Sequence, residues 1–185
     1  YYKVSAVDYT GNESELSQIV SAMPLETTIL FSTNFEEDEG GFITGAEEGR
    51  GNCWEWGIPT SGPNVAYSGE RLWATNLSGQ YTADNDAYIE SPKIEIPENN
   101  NNVILAFNHW YDLEEGWGDK YDYGQVLISI DDGKNWINIT PEEDGKYGGR
   151  IKEWKIEELS LDNFKGKTIK LRFFFSSDYG GNFLG

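Results

Sequence analysis

Apolar residues recur at every second position over short runs, and nowhere do they keep helical spacing for more than a turn or two. In residues 168–176, Ile169, Leu171, Phe173 and Phe175 fall on one face, the alternation of a half-buried strand. Across residues 103–110, Val103, Leu105, Phe107 and His109 alternate with Ile104, Ala106, Asn108 and Trp110. Both sets are largely apolar, so this strand is expected to have two covered faces and a central place in its sheet. Val126, Ile128 and Ile130 form the apolar face of the strand that follows. Alternation over residues 30–35 predicts the first strand of the main domain, and Trp54 and Trp56 share a face of another. Shorter runs predict strands over residues 71–76, 87–91, 93–97, 136–139 and 154–156, with one short helical turn within 159–164. Gly, Pro and Asn separate these runs, so the pattern predicts an all-β sandwich.

Between the strands at 126–131 and 136–139 lies Asp131-Asp132-Gly133-Lys134. Gly133 supplies the positive φ a tight hairpin needs, and an Asp side chain accepts backbone N–H bonds across such a turn. The spelling Ser129-x-Asp131-x-Gly133-x-Asn135-Trp136 resembles an Asp-box, a hairpin whose role in β-proteins is structural.

Charge narrows the functional classes. The 185 residues carry a formal net charge of −18, with 14 Lys and Arg against 32 Asp and Glu. Phosphate neutralisation needs clustered basic side chains, so nucleic-acid binding is excluded, and anionic membranes are disfavoured for the same reason. No run is long enough to span a bilayer, so no membrane insertion is expected. An acidic surface suits divalent cations. Cys53 is the single cysteine, so an intrachain disulfide is impossible, and it is expected to pack as a small hydrophobe.

Three segments emerge along the chain. Residues 1–24 spell Tyr-x-Val-x-Ala-x-Asp followed by Gly-Asn-Glu-Ser, which resembles the last two strands of a fibronectin type III domain. Residues 25–29 read as a linker and 30–185 as the main domain. In that domain Phe35-Glu36, Trp54-x-Trp56-Gly57, Ser68-Gly69-x-x-x-Trp73-Ala74-Thr75-Asn76 and His109-Trp110-Tyr111-Asp112 occur in order. The hairpin and Leu171-Arg172-Phe173-x-Phe175-x-Ser177-Asp178 follow. This series resembles the MAM-like jelly-roll module of secreted bacterial peptidases of the bacillopeptidase F and immune inhibitor A types. The resemblance implies a jelly-roll β-sandwich and an extracellular place, secreted or at the cell surface. It also implies a final strand beyond Gly185, expected to pair with residues 168–176. With that strand absent, the N-terminal hairpin or a second copy is expected to cover the open edge.

Catalytic chemistry has little to work with. His109 is the one histidine, so a Ser-His-Asp triad would have to use it and a His-Glu-x-x-His zinc motif cannot exist. Its apolar strand setting reads as a core position. Asp112, Glu114, Glu115, Asp119 and Asp122 crowd one loop, which is compatible with a glycosidase pair or with a solvated acidic face. Repeated Asp-boxes and the arginine cluster of a sialidase are missing.

Metal binding is the stronger signal. Ca²⁺ takes six to eight oxygens from irregular loops. Residues 36–38 and 84–86 offer them, and the jelly-roll resemblance puts Glu36 first, with Asp38, Asp84 and Asp86 as companions and Asp119 with Asp122 as the rival cluster. Trp117, Tyr121, Tyr123 and Tyr147 lie in or beside loops and are candidates for a sugar-stacking platform, the alternative being core positions. The sequence therefore predicts a non-catalytic accessory module of a secreted or cell-surface peptidase, holding a structural Ca²⁺. Its expected partners are neighbouring domains of the same polypeptide and a protein or polysaccharide substrate. A carbohydrate-binding module is the alternative.

Overall fold

A computed structural model describes residues 3, 5–18, 27–116, 119–151, 153–181, 183 and 184. Ten strands account for the regular structure: β1 (Ile43–Ala46), β2 (Glu55–Gly57), β3 (Leu72–Ala74), β4 (Asp86–Glu90), β5 (Ile94–Glu95), β6 (Ile104–His109), β7 (Tyr123–Ser129), β8 (Ile137–Asn138), β9 (Lys155–Ser160) and β10 (Thr168–Ser176). A single 3₁₀ turn, Asp162–Phe164, falls where the short helical turn was expected. Among the described residues no helix is long and apolar enough to cross a membrane.

All pairings between these strands are antiparallel. The main sheet runs β1-β4-β10-β7-β8, with β5 continuing the β4 side of β10. Directly paired residues share a face, so Leu171, Phe173 and Phe175 lie beside Ile128, Val126 and Gly124, with Ile89 and Ala87 on the other flank. This apolar face is covered by two separate strand pairs, β2-β3 and β6-β9, making the second layer of an all-β sandwich. Leu105 and Phe107 of β6 and Leu159 of β9 pack on Val126 and Phe173. Trp54 joins Tyr81, Leu113 and Phe175 in a neighbouring cluster with Cys53. Burial there pushes the Cys53 thiol up to about 12, so it is a packed hydrophobe as expected.

Three expectations are corrected. β6 is not a central strand with two covered faces: among the described residues β9 is its one strand neighbour, and Ile104, Ala106 and Asn108 face outward. Residues 30–35 form no strand, because Phe35 takes a φ of 61° and breaks the extended run. Its ring, like that of Phe31, packs on Phe42 instead. β10 has no open edge, since β4 and β5 bond one side and β7 the other. The segment 1–22 therefore has no open edge of β10 to cover. Residues 1, 2, 4 and 19–22 of that hairpin lie outside the described residues; within them Val7 bridges Glu13, and Asp8 accepts N–H bonds from Thr10 and Asn12 across the turn.

The Asp-box hairpin forms as its spelling predicts. Asp132 and Gly133 both have positive φ, 63° and 87°. Ser129 Oγ accepts the Gly133 N–H at 2.9 Å, and Asp131 accepts from both the backbone and side chain of Asn135. These donors pull the Asp131 carboxyl down to about 2. The hairpin brings Trp136 over the outer face of the main sheet. There the Arg172 guanidinium lies between two rings, 3.6 Å from the centroid of Tyr88 and 4.2 Å from that of Trp136.

Candidate metal centre

The site begins with register. In the β7–β10 ladder Ser176 lies opposite Tyr123, so the residues just beyond β10 meet those just before β7. Asp178 thereby reaches Asp122, donating its backbone N–H to Asp122 Oδ1 at 2.9 Å. The chain after β10 is pinned by Asn85, which is almost fully buried and exchanges bonds with Ser177: Ser177 N–H to the Asn85 carbonyl, and Asn85 N–H to Ser177 Oγ. Asp84 N–H donates to the Asp178 carbonyl at 2.8 Å. The acidic loop then folds back, with Asp122 N–H donating to the Glu114 carbonyl at 3.2 Å.

Tyr81 is the pillar beneath. Its ring is buried edge-on against Phe175, 4.9 Å between centroids. Its hydroxyl donates to Asp122 Oδ2 at 2.5 Å and accepts the Glu114 N–H at 3.2 Å. Asp122 is fully buried. Gly181, at φ 63°, lies so close to the Glu114 carboxylate that a Cβ there would overlap it.

One carboxylate oxygen from each of Glu114, Asp122 and Asp178 lies within 4.8 Å of the others. Among the described residues this is the one group of three or more His, Cys, Asp or Glu that close together. No described lysine or arginine is ion-paired with it: Arg150 pairs with Asp112 at 2.7 Å and Lys120 with Asp144 at 3.0 Å. Burial, opposed by the Tyr81 and Asp178 donors, raises the Asp122 carboxyl. Burial first, then the charges of Asp122 and Asp178, raises Glu114. Uncompensated carboxylates around one point are what a bound cation relieves. The donors are all oxygen, which selects a hard cation such as Ca²⁺ over zinc or copper.

The residues predicted as ligands are distributed elsewhere. Glu36 Oε1 accepts the backbone N–H groups of Glu70 and Arg71 at 2.9 and 3.0 Å, and these bonds hold its carboxyl below the usual range. Asp38 accepts the Gly40 N–H at 2.8 Å. Asp84 and Asp86 both pair with Arg50. The four do not come together as a three-carboxylate group. Of the rival pair, Asp122 belongs to the cluster and Asp119 does not. Asp178 was missed because it lies 56 residues from Asp122; the signal was the Ser177-Asp178 pair ending the clearest strand. Of the stacking candidates, Tyr121 is exposed, Tyr123 carries Lys146 Nζ 4.0 Å above its ring, and Tyr147 is buried in the core. Trp117 lies outside the described residues.

His109 faces inward among Phe107, Tyr111 and Tyr147, with ring centroids 5.4, 5.5 and 4.8 Å away. Its Nε2 is buried and has no hydrogen-bond partner among the described residues. Burial first, and then the Lys155 charge, depresses it from 6.5 to about 4. Between those values the unfolded chain takes up a proton that the folded chain refuses, so stability falls as pH drops through this window. Allowing for its partial exposure, the loss is about 2 kcal/mol. His109→Phe should therefore melt with a smaller drop than the parent between pH 7 and pH 4.5; an equal drop would contradict this assignment.

No family model matches the chain. Over 177 residues, 96% of its length, the chain is 36% identical to a segment of Bacillopeptidase F of Bacillus subtilis (strain 168). It spans 11% of that protein's length.

Proposed function

We propose that the chain is a non-catalytic, cation-stabilised β-sandwich module of a larger extracellular peptidase, serving to space, stabilise or anchor to substrate. The observation that carries the reading is the match to a segment making up 11% of a peptidase, at 36% identity. The neighbouring domains of such a polypeptide are the module's first partners. The chemistry agrees with an accessory role. His109 is neutral at physiological pH and enclosed by aromatic rings, a poor setting for a general base that must meet substrate. The grouped carboxylates converge on one point around the buried Asp122, which suits charge compensation by a metal better than the separated acid and nucleophile of a glycosidase.

Glu114, Asp122 and Asp178 would hold a Ca²⁺ ion, which would neutralise their mutual repulsion and tie β10's C-terminal end to the acidic loop. The Glu36 loop is the second candidate for the ion, its carboxylate already clasping residues 70 and 71. The rival function, sugar binding, would rest on Tyr121 and Tyr123, since Tyr147 has no surface to offer.

The purified chain should show no turnover of casein, gelatin or soluble glycans above buffer. A rate that disappears in His109→Ala or Glu114→Gln would overturn the reading.

A further inference from the structure

Packing, not backbone bonding, holds β6 and β9 to the main sheet. Among the described residues these two strands form a ladder only with each other. Leu105, Phe107 and Leu159 rest on Val126 and Phe173. At the C-terminal end of β6 the contact is made by His109, whose ring meets that of Tyr147 edge to face, 4.8 Å between centroids. Tyr147 belongs to the main-sheet side, because it exchanges both backbone bonds with Gly124 of β7. An apolar cavity of about 480 Å³ flanks this interface, bordered by Leu105, Phe107 and His109 from β6 and by Val126 and Phe173 from the main sheet. The β6–β9 pair can therefore leave without breaking a ladder of the main sheet, the kind of unit that opens sub-globally.

His109 is the polar exception in this interface. A neutral imidazole can turn an acceptor lone pair toward the unpartnered, buried Nε2 position, whereas an imidazolium must put an N–H there. It would also bury a charge among the rings of Phe107, Tyr111 and Tyr147. The charged groups around it give little relief. Lys155 lies directly opposite on β9 and opposes protonation. Glu142, from the loop after β8, favours it, but less than burial and Lys155 resist it. Glu157 of β9 pairs with Phe107 and acts on Tyr147. Burial keeps the Tyr111 and Tyr147 hydroxyls neutral, so neither supplies a counter-charge.

We propose that His109 is an acid-sensitive latch: protonation of its ring releases the β6–β9 pair from the main sheet and opens the flanking cavity, while the ladders of the main sheet persist. The device is distinct from a general loss of stability in acid, because the separation is confined to one layer. β10 keeps bonded neighbours on both sides and needs nothing from β6 or β9. A released two-stranded ribbon is marginal in water, so its own ladder frays. Acid also reduces the net charge of −18 and with it the self-repulsion of the chain. Opening on acidification therefore calls for a group whose protonation is itself unfavourable in the fold, and His109 is the single histidine.

Amide hydrogen exchange on the whole chain at pH 7 and pH 4.5, expressed as protection relative to unstructured peptides, tests this. Protection of the ladder amides of β6 and β9 should fall about tenfold or more on acidification, and that of the β10 amides by less than about threefold. In His109→Phe the β6 and β9 amides should keep their protection within about threefold between the two pH values. Lys155→Gln removes a like charge and leaves the rings in place. It brings the folded histidine nearer its unfolded behaviour, so its fall should be smaller than the parent's. The proposal is overturned if the β10 amides lose protection in step with β6 and β9, if the parent's β6 and β9 amides keep theirs, or if His109→Phe falls as far as the parent. Where His109→Phe does not fold, a Lys155→Gln variant that falls as far as the parent overturns it instead.

Discussion

Replacing Arg172 with methionine is expected to destabilise the sandwich by about 3–5 kcal/mol, the usual effect of orphaning a buried charge. Arg172 and Glu90 are directly paired across β4 and β10, and both are 8% exposed. Arg172 Nε and Nη2 donate to Glu90 Oε1 at 3.0 and 2.6 Å, and Nη1 donates to Glu47 at 2.9 Å. The guanidinium also fills the space between Tyr88 and Trp136. Methionine leaves Glu90 charged, buried and unpaired, while the more exposed Glu47 loses little. In a domain of this size the melting temperature should fall by about 10 °C. Combining Arg172→Met with Glu90→Leu should recover much of the loss, because two apolar side chains of similar volume replace the pair. Arg172→Lys should not, since an ammonium has neither the fork nor the flat face this site uses. Equal melting of the single and double variants would show that the ion pair is not the source of the effect.

Strand alternation made most of the sandwich legible. Ile169, Leu171, Phe173 and Phe175 announced β10 because a strand buried between two others keeps strict period-two patterning. The Asp-box spelling located its hairpin because each residue's role there is local. What alternation does not carry is pairing. β6 looked central because both its faces are apolar, yet its outer face is exposed and its open edge borders a cavity. Residues 30–35 alternated as well, but a positive φ at Phe35 overrode the pattern. The candidate metal centre was half visible. Glu114 and Asp122 stood in the crowded acidic loop, but only the register of β7 with β10 brings Asp178 to them. Tyr81, the residue that orients Asp122, was unreadable as such because its partner is 41 residues away.

Calcium is expected to raise the stability of the chain, by about 2.7 kcal/mol at a concentration one hundred times the dissociation constant. In the metal-free protein the burial of Glu114 and Asp122, and their repulsion with Asp178, weaken the fold at neutral pH. Glu114 and Asp122, raised in the folded state, bind more protons there than in the unfolded chain, so for these two groups stability rises as pH falls toward the ordinary carboxylate range. Calcium acts in the opposite sense, because protons compete with it. Its stabilising effect should be largest near pH 7 and shrink on acidification. Asp122→Asn separates the two contributions. The amide carbonyl can still accept the Tyr81 or Asp178 donors, while one of three clustered charges is gone.

The most direct measurement is therefore a thermal melt of the parent chain, Asp122→Asn and Glu36→Gln at pH 7, each in excess chelator and in millimolar calcium. The account predicts that calcium raises the melting temperature of the parent and of Glu36→Gln. Asp122→Asn should melt at or above the parent in chelator and show no calcium response. A parent that ignores calcium, or an Asp122→Asn variant that responds as the parent does, would contradict the account. A response lost only in Glu36→Gln would move the ion to the first loop.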